Sequence, residues 1–293
     1  MDGRSNRIYQ AKVLLEASKL NEEVISEIVL FLLMKNKNAL VSVSQNDHLF
    51  RKTSVTWPEK FDLIKIDGSN GMCGLEAIFL LFQKRLSYKY VILIDEDVVV
   101  ENPAIFHRIV DYMDRNNLDI VGLPDADMGE VRKFNPFAYN PFLCFIDYQR
   151  VLKKFSKKEI LNNQFIAKKE FDIDFRISMS NADVLSLKES YYCFFFWLRR
   201  KGFKFGYLDS SQDFFKNDPI TTSIYFNKSL IGHHSWYARE YGYDLTHTQR
   251  IKALLSSSCK TNRDGSYMLL KQKTIFTFMP SIFQYILGRI RLD

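Results

Sequence analysis

The sequence predicts an α/β protein: one domain built on a mostly parallel sheet flanked by helices, with a C-terminal helical appendage. Three observations predict it. Short apolar runs, ALVSVS (39–44), FDLIKID (61–67), YVILI (90–94) and LDIVGLPD (118–125), have the length and the β-branched content of buried strands. Segments of helical periodicity lie between them, and strand–helix–strand with short connections implies parallel pairing beneath covering helices. A chain of 293 residues, 46% of them hydrophobic, is also long enough and apolar enough to bury a core of that kind.

Taken in order, residues 11–34 carry helix formers at an apolar spacing and precede the first strand, 39–44. QNDHLFRKTSVTW reads as loop and short helix halted near Pro58, and 61–67 is the second strand. Gly68, Asn70, Gly71 and Gly74 make a turn into the helix LEAIFLLFQKRL (75–86). YVILIDED is the third strand, a helix follows Pro103, and 118–125 is the fourth strand. The second half is less regular. NPFLCFIDY (140–148) reads as a strand, 153–175 as a charged lid or acceptor-facing insertion, and SYYCFFFWLRRKG as a helix stopped by Gly202 before another strand. Residues 251–293 form the appendage, ending in SIFQYILGRIRLD.

Composition narrows the function classes. With 25 Phe and 15 Tyr the apolar content is aromatic, which suits a folded enzyme or binding domain rather than a disordered chain. The formal charge of +7 would attract phosphates, nucleotides or an anionic surface, and is also small enough to serve solubility alone. Cys73, Cys144, Cys193 and Cys259 form no CxxC pair and read as reduced thiols of a cytoplasmic protein. The N-terminus is polar through Gln10, with no secretory pattern, and VISEIVLFLLM (24–34) is too short to span a bilayer. The chain reads as cytoplasmic, either soluble or peripheral on a membrane face.

Asp67, Asp95–Asp97 and Asp125–Asp127 all fall at C-terminal strand ends, where open α/β sheets gather their ligands. Asp95 and Asp97 alternate with Glu96, so in a strand they point to one side and Glu96 to the other. Paired hard carboxylates suit Mg²⁺ or Mn²⁺. A solvated strand end would look the same, and spacing alone leaves both readings open.

The order ALVSVS, FDLIKIDGSNG, helix, YKYVILIDEDVVVENP resembles the nucleotide-sugar half of a GT-A glycosyltransferase of the family 2-like kind, over roughly residues 39–210. The resemblance makes DED (95–97) the D-x-D motif. It implies that Asp97 is the principal ligand of Mn²⁺ or Mg²⁺, that Asp95 assists the metal or binds the donor's ribose, and that Asp67 contacts the nucleobase or ribose. It divides a domain over 1–250 into a nucleotide-sugar-binding half, 39–135, and an acceptor-facing half, 136–250, where Asn140 and Asp147 are candidate acceptor contacts. It also implies a loop, GLPDADMGEVRK, with Asp125, Asp127, Arg132 and Lys133 near the diphosphate.

One departure concerns the general base. Inverting members of the superfamily carry a Glu-Asp pair heading a helix that ends in an LRxxG-like sequence. Here LRRKG (198–202) is present, but Ser190 and Tyr191 stand where the pair would be. Glu189, one place early, and Asp183 are the candidates, with inversion favoured over retention.

GHHSWYAREYG (232–242) holds two of the chain's five histidines. By the resemblance His234 returns to the metal, with His233 as second choice, while Trp236 and Tyr237 wall the pocket and Arg239 meets phosphate. Histidines serving buried polar groups in an aromatic loop are the competing reading; His247 has the weaker claim, and His48 and His107 read as surface or capping residues. The apolar face of 282–290, ringed by Lys271, Lys273, Arg289 and Arg291, suits either an anionic membrane interface or packing on protein.

The function these features imply is transfer of a sugar from a nucleotide diphosphate sugar to a hydroxyl of a glycan or lipid-linked glycan, as in surface polysaccharide or lipopolysaccharide synthesis. A nucleotidyltransferase would need a glycine-rich N-terminal triphosphate loop, which is missing. A basic nucleic-acid- or membrane-binding protein without catalysis is the other alternative, but the aromatics sit in apolar runs such as CFFFWL and no nucleic-acid reading module is present, so no specific nucleic-acid partner is expected.

Overall fold

The structure is a computed structural model, described here for residues 37–69, 71–72, 74–126, 132, 134–172, 182–212, 214–215, 218–258, 260–261, 263 and 265–271. The expected helix over 11–34, Asp127, Lys133 and the apolar face of 282–290 lie outside the described residues.

Strands β1 (Asn38–Ser44), β2 (Asp62–Asp67) and β3 (Tyr90–Ile94) pair in parallel with β1 in the middle, as the three apolar runs predict. Between them come the short helix α1 (Asp47–Thr53) and α2 (Leu75–Gln83). After β3 the chain turns through the three acids into β4 (Val98–Val100), then forms α3 (Ala104–Asn116) and β5 (Ile120–Pro124). β6 (Tyr139–Asp147) lies between β3 and β5 and is antiparallel to both. Helices α4 (Tyr148–Lys154), α5 (Lys157–Leu161) and α6 (Tyr192–Arg200) follow, and β7 (Phe205–Tyr207) pairs in parallel with β5. The charged stretch after 153 is thus partly helical, and α6 ends before Gly202, whose φ of 76° breaks the helix.

A second, antiparallel sheet was not expected from the sequence. β8 (Asp209–Ser211), β9 (Thr222–Phe226) and β10 (Ser229–His234) join β4 in the order β4-β10-β9-β8. Helix α7 (Leu245–Ser257) runs across the boundary expected near 250. Beyond it β11 (Met268–Leu270) adds in parallel to the outer side of β2, completing a seven-stranded sheet in the order β11-β2-β1-β3-β6-β5-β7. Thr261 ties this returning segment down, its N–H donating to the Val55 carbonyl at 2.7 Å.

The central sheet is covered on both faces, so its inner strands are apolar throughout rather than alternating with polar residues. Ala39, Val41, Val91 and Leu93 pack with α2 and α6, while Leu40, Ile92 and Ile94 face the other way onto α3 and the small sheet. This packing fixes β3 rigidly, and the turn that follows it is held from both sheets. Among the described residues no helix is long and apolar enough to cross a membrane.

Candidate metal and nucleotide site

The acids of the β3–β4 turn do two different jobs. Glu96 is buried and points back to the end of β1: it accepts hydrogen bonds from Ser44 Oγ (2.8 Å), Gln45 N (3.1 Å) and Asn46 N (2.9 Å). Asn46 in turn caps α1 and donates to the carbonyls of Ala238 and Tyr241, so Glu96 anchors the turn to the wall beside it. Burial pushes the Glu96 carboxyl above its usual range, and these donors pull against that shift.

Asp95 and Asp97 point away from Glu96, as alternation predicts, and meet a residue from the second sheet. β10 pairs with β4 so that His234 stands opposite Val98, the residue after Asp97. His234 Nε2 is 3.0 Å from Asp97 Oδ1, and Ser235 Oγ donates to Asp97 Oδ2 at 3.1 Å. The His234 ring stacks on Phe142 and meets the tilted Trp236 ring, each centroid 4.1 Å away. Ligand atoms of Asp95, Asp97 and His234 all lie within 4.8 Å of one another.

This cluster fits a divalent cation. His234 brings Nε2 to the Asp97 carboxylate, and its Nδ1 is buried without a hydrogen-bond partner among the described residues, so the imidazole has donor capacity that no protein group uses. Two carboxylate oxygens with one imidazole nitrogen are a donor set for Mn²⁺ or Mg²⁺, the nitrogen favouring Mn²⁺. Without an ion the negative charges oppose each other. Burial, reinforced by the charges of Asp97 and Glu96, pushes the Asp95 carboxyl up to about 7 against the pull of His234 and Arg132. Burial also disfavours ionised Asp97, but the charge and hydrogen bond of His234 and the bond from Ser235 outweigh it and hold Asp97 below the usual range.

The raised Asp95 carboxyl has a sign that can be tested. The folded protein keeps a proton that the unfolded chain releases near 3.8, so this group's contribution to stability declines as pH rises from about 4 to about 7. Ligation requires the ionised form, so Mn²⁺ affinity should drop about tenfold per pH unit below 7. Calorimetry in buffers of different ionisation enthalpy should show close to one proton released per Mn²⁺ near pH 6 and almost none near pH 8.5.

The cluster opens into a cavity of about 410 Å³, within the range of small-molecule sites. Its apolar lining comes from Val41, Val43 and Ile66 of the sheet with Ala77 and Ile78 of α2, and its charged lining includes Asp95, Asp97, His234, Arg132 and Glu189. Trp236 and Tyr237 line the wall with consecutive left-handed backbones, φ 58° and 61°. Such conformations cost energy in non-glycine residues and cluster at functional sites. Arg250 of α7 helps hold them, donating to the Trp236 carbonyl at 3.2 Å, and Tyr237 stacks on His247.

Of the other residues singled out from the sequence, Glu189 lines the cavity and is ion-paired with Arg132, whereas Asp183 is exposed and bonded to the Leu185 amide, outside the lining. Arg239 lines the mouth and is exposed. Asp67 ends β2 next to the lining residue Ile66 but is not itself in the lining; Ser69 holds its carboxylate. His233 is buried against Phe214 and Ser223. Asn140 lines the cavity and donates to the fully buried Asp125, which also takes hydrogen bonds from Tyr191 and Tyr192. Asp147 lies at the opposite end of the strands from the cluster, capping α4, because β6 runs opposite to β3 and brings its end beside Tyr90.

Sequence reasoning missed the anchoring role of Glu96, the Ser235 hydroxyl and the tyrosines on Asp125. The first had a usable signal: VVV directly after DED is a strand of its own, so the acids occupy a tight turn between strands.

No family model matches the sequence, and no curated protein matches it. Among solved structures the chain is similar to the mannosyltransferase PcManGT from Pyrobaculum calidifontis, in complex with GDP-Man and Mn²⁺, at 7% identity and a TM-score of 0.31. The match covers 42% of this chain and 47% of that chain, less than half of either.

Proposed function

We propose that the chain is a metal-dependent glycosyltransferase that moves a sugar from a nucleotide diphosphate sugar to a hydroxyl of a glycan or lipid-linked glycan. One observation carries the reading: Asp95, Asp97 and His234 converge at the carboxyl end of a parallel strand, on the wall of a cavity that also holds Glu189 and Arg132. The carboxylates of Asp95, Glu96, Asp97, Glu189 and Glu240 outnumber the arginines there, Arg132 and Arg239, so a diphosphate needs a cation to enter. Mn²⁺ or Mg²⁺ held by Asp95, Asp97 and His234 would offset the diphosphate's charge and that of the departing nucleotide.

The chain's own residues supply the rest. Trp236 and Tyr237 orient the sugar and shed water from it, and Arg239 meets phosphate at the mouth. Asp67, two strands over from β3, is the proposed ribose contact. In an inverting transfer the acceptor oxygen bonds to the anomeric carbon while the bond from that carbon to the diphosphate breaks. The electron pair leaves with the nucleoside diphosphate, and the hydroxyl proton passes to Glu189. Glu189 suits this role better than Asp183 because it lines the cavity.

A screen of nucleotide sugars should find one from which nucleoside diphosphate is released only with Mn²⁺ or Mg²⁺. Glu189→Gln should then lower kcat by about 10²–10⁴-fold without raising the donor KM. Release that persists in EDTA would count against the metal, and a fully active E189Q against the base.

A further inference from the structure

The Arg132–Glu189 pair poses a problem for the reaction. Arg132 Nη1 is in direct contact with Glu189 Oε1, and 3.7 Å from Asp125 Oδ2. Asp125 does not depend on this arginine alone, since Asn140, Tyr191 and Tyr192 already donate to it. Glu189 has Arg132 as its ion-pair partner among the described residues. The Glu189 oxygen that holds the guanidinium is not free to meet an acceptor hydroxyl, and the guanidinium N–H groups that it engages are not free to meet a phosphate. Both line one cavity with Asp95, Asp97 and His234, and the guanidinium carbon of Arg132 stands 5.3 Å from the Trp236 ring centroid.

We infer that Arg132 is an exchangeable latch: it holds Glu189 in the ligand-free protein and transfers to the donor's diphosphate, releasing the Glu189 carboxylate for the acceptor's proton only once the donor is seated. The planar guanidinium suits both partners, because carboxylate and phosphate oxygens match the same fork of N–H donors. Trp236 offers a flat face against which it can slide between them, and Asp125 behind it supplies a fixed countercharge in either position. The consequence is order. Donor binds first, and an acceptor arriving at the empty site meets a base that is already occupied.

The inference rests on the glycosyltransferase reading and makes a prediction that this reading alone does not. Glu189 competes with the donor for Arg132, so removing its charge should strengthen nucleotide binding even as it removes the base. UDP and GDP, each with excess Mn²⁺, serve as probes in calorimetry on the full chain. The nucleotide that binds wild type should bind Glu189→Gln about tenfold more tightly, and in an Arg132→Gln background the same substitution should change affinity less than about twofold. The double variant separates exchange from simple charge repulsion, which would tighten binding in both backgrounds. If R132Q does not fold, Arg132→Lys carries the test, since it keeps the charge but lacks the fork, and the gain from E189Q should shrink to about threefold or less.

Wild-type binding with no gain in E189Q, or a gain undiminished without Arg132, would overturn the latch while leaving the proposed function intact. Failure of wild type to bind either nucleotide with Mn²⁺ would overturn both.

Discussion

Gly232→Ala is expected to cost about 3 kcal/mol of stability or more, lowering the melting temperature by roughly 10 °C. Gly232 lies on β10 opposite Val100 of β4, and a Cβ there would sit 2.2 Å from the Val99 carbonyl oxygen and 2.8 Å from the Val100 Cα. Both are backbone atoms in a ladder that Glu101 N and Asn102 N extend by donating to the Ile231 carbonyl. No rotamer change relieves such a clash, so β4 and β10 must part. The same ladder sets His234 beside Asp97, and the variant should lose Mn²⁺ affinity along with stability. Gly206→Ala is the control: its nearest atoms belong to the Leu118 and Val121 side chains, which can turn aside. Thermal unfolding followed by circular dichroism, with Mn²⁺ titration of each variant, would compare them. A G232A protein as stable as wild type would refute the close approach of the two strands.

Asp97→Ala separates folding from ligation. The carboxylate is buried, but its neighbours are carboxylates too, and its charge contributes to the raised proton affinity of Asp95. Removing it leaves His234 Nε2 without this partner and costs Ser235 one of its two acceptors, while relieving repulsion in the turn. These effects oppose one another, and stability should change by no more than about 2 kcal/mol. Mn²⁺ binding has no such compensation. Loss of one of three ligands, and of a full charge, should weaken it by about a hundredfold or more, read from the free-ion signal in electron paramagnetic resonance. The Asp95 carboxyl should also titrate lower in D97A than in wild type.

Much of this could be read from the sequence because local chemistry declared it. β1, β2 and β3 are largely apolar, end on or just before polar residues and sit at βα spacing, and Gly202 stops α6 where a helix with RRK at its end would be expected to stop. The alternation of Asp95, Glu96 and Asp97 set Glu96 apart from the two candidate ligands, although it did not show that Glu96 anchors the turn to β1. What was hidden is long-range pairing. Nothing local in NPFLCFIDY says that β6 runs antiparallel, and that direction carries Asp147 to the opposite end of the strands from the cluster. GHHSW looks like a loop of aromatics and glycine; its first three residues end β10, which pairs with the neighbouring β9 on one side and, unforeseeably, with Val98–Val100 far back in the chain on the other. Glu189 and Asp183 were equal candidates on the sequence, since their separation depends on how the chain before α6 folds onto the cavity. The burial of Asp125 likewise needed Tyr191 and Tyr192, at a separation no pattern reveals.

Asp95, Asp97 and His234 are proposed to hold a divalent cation that recruits a nucleotide. Calorimetric titration of UDP and GDP into the wild-type chain, once with Mn²⁺ and once with EDTA, tests it most directly. At least one nucleotide should bind with Mn²⁺, none in EDTA, and none with Mn²⁺ in D97A that remains folded. Nucleotide binding of equal strength in EDTA, or in folded D97A, would contradict it.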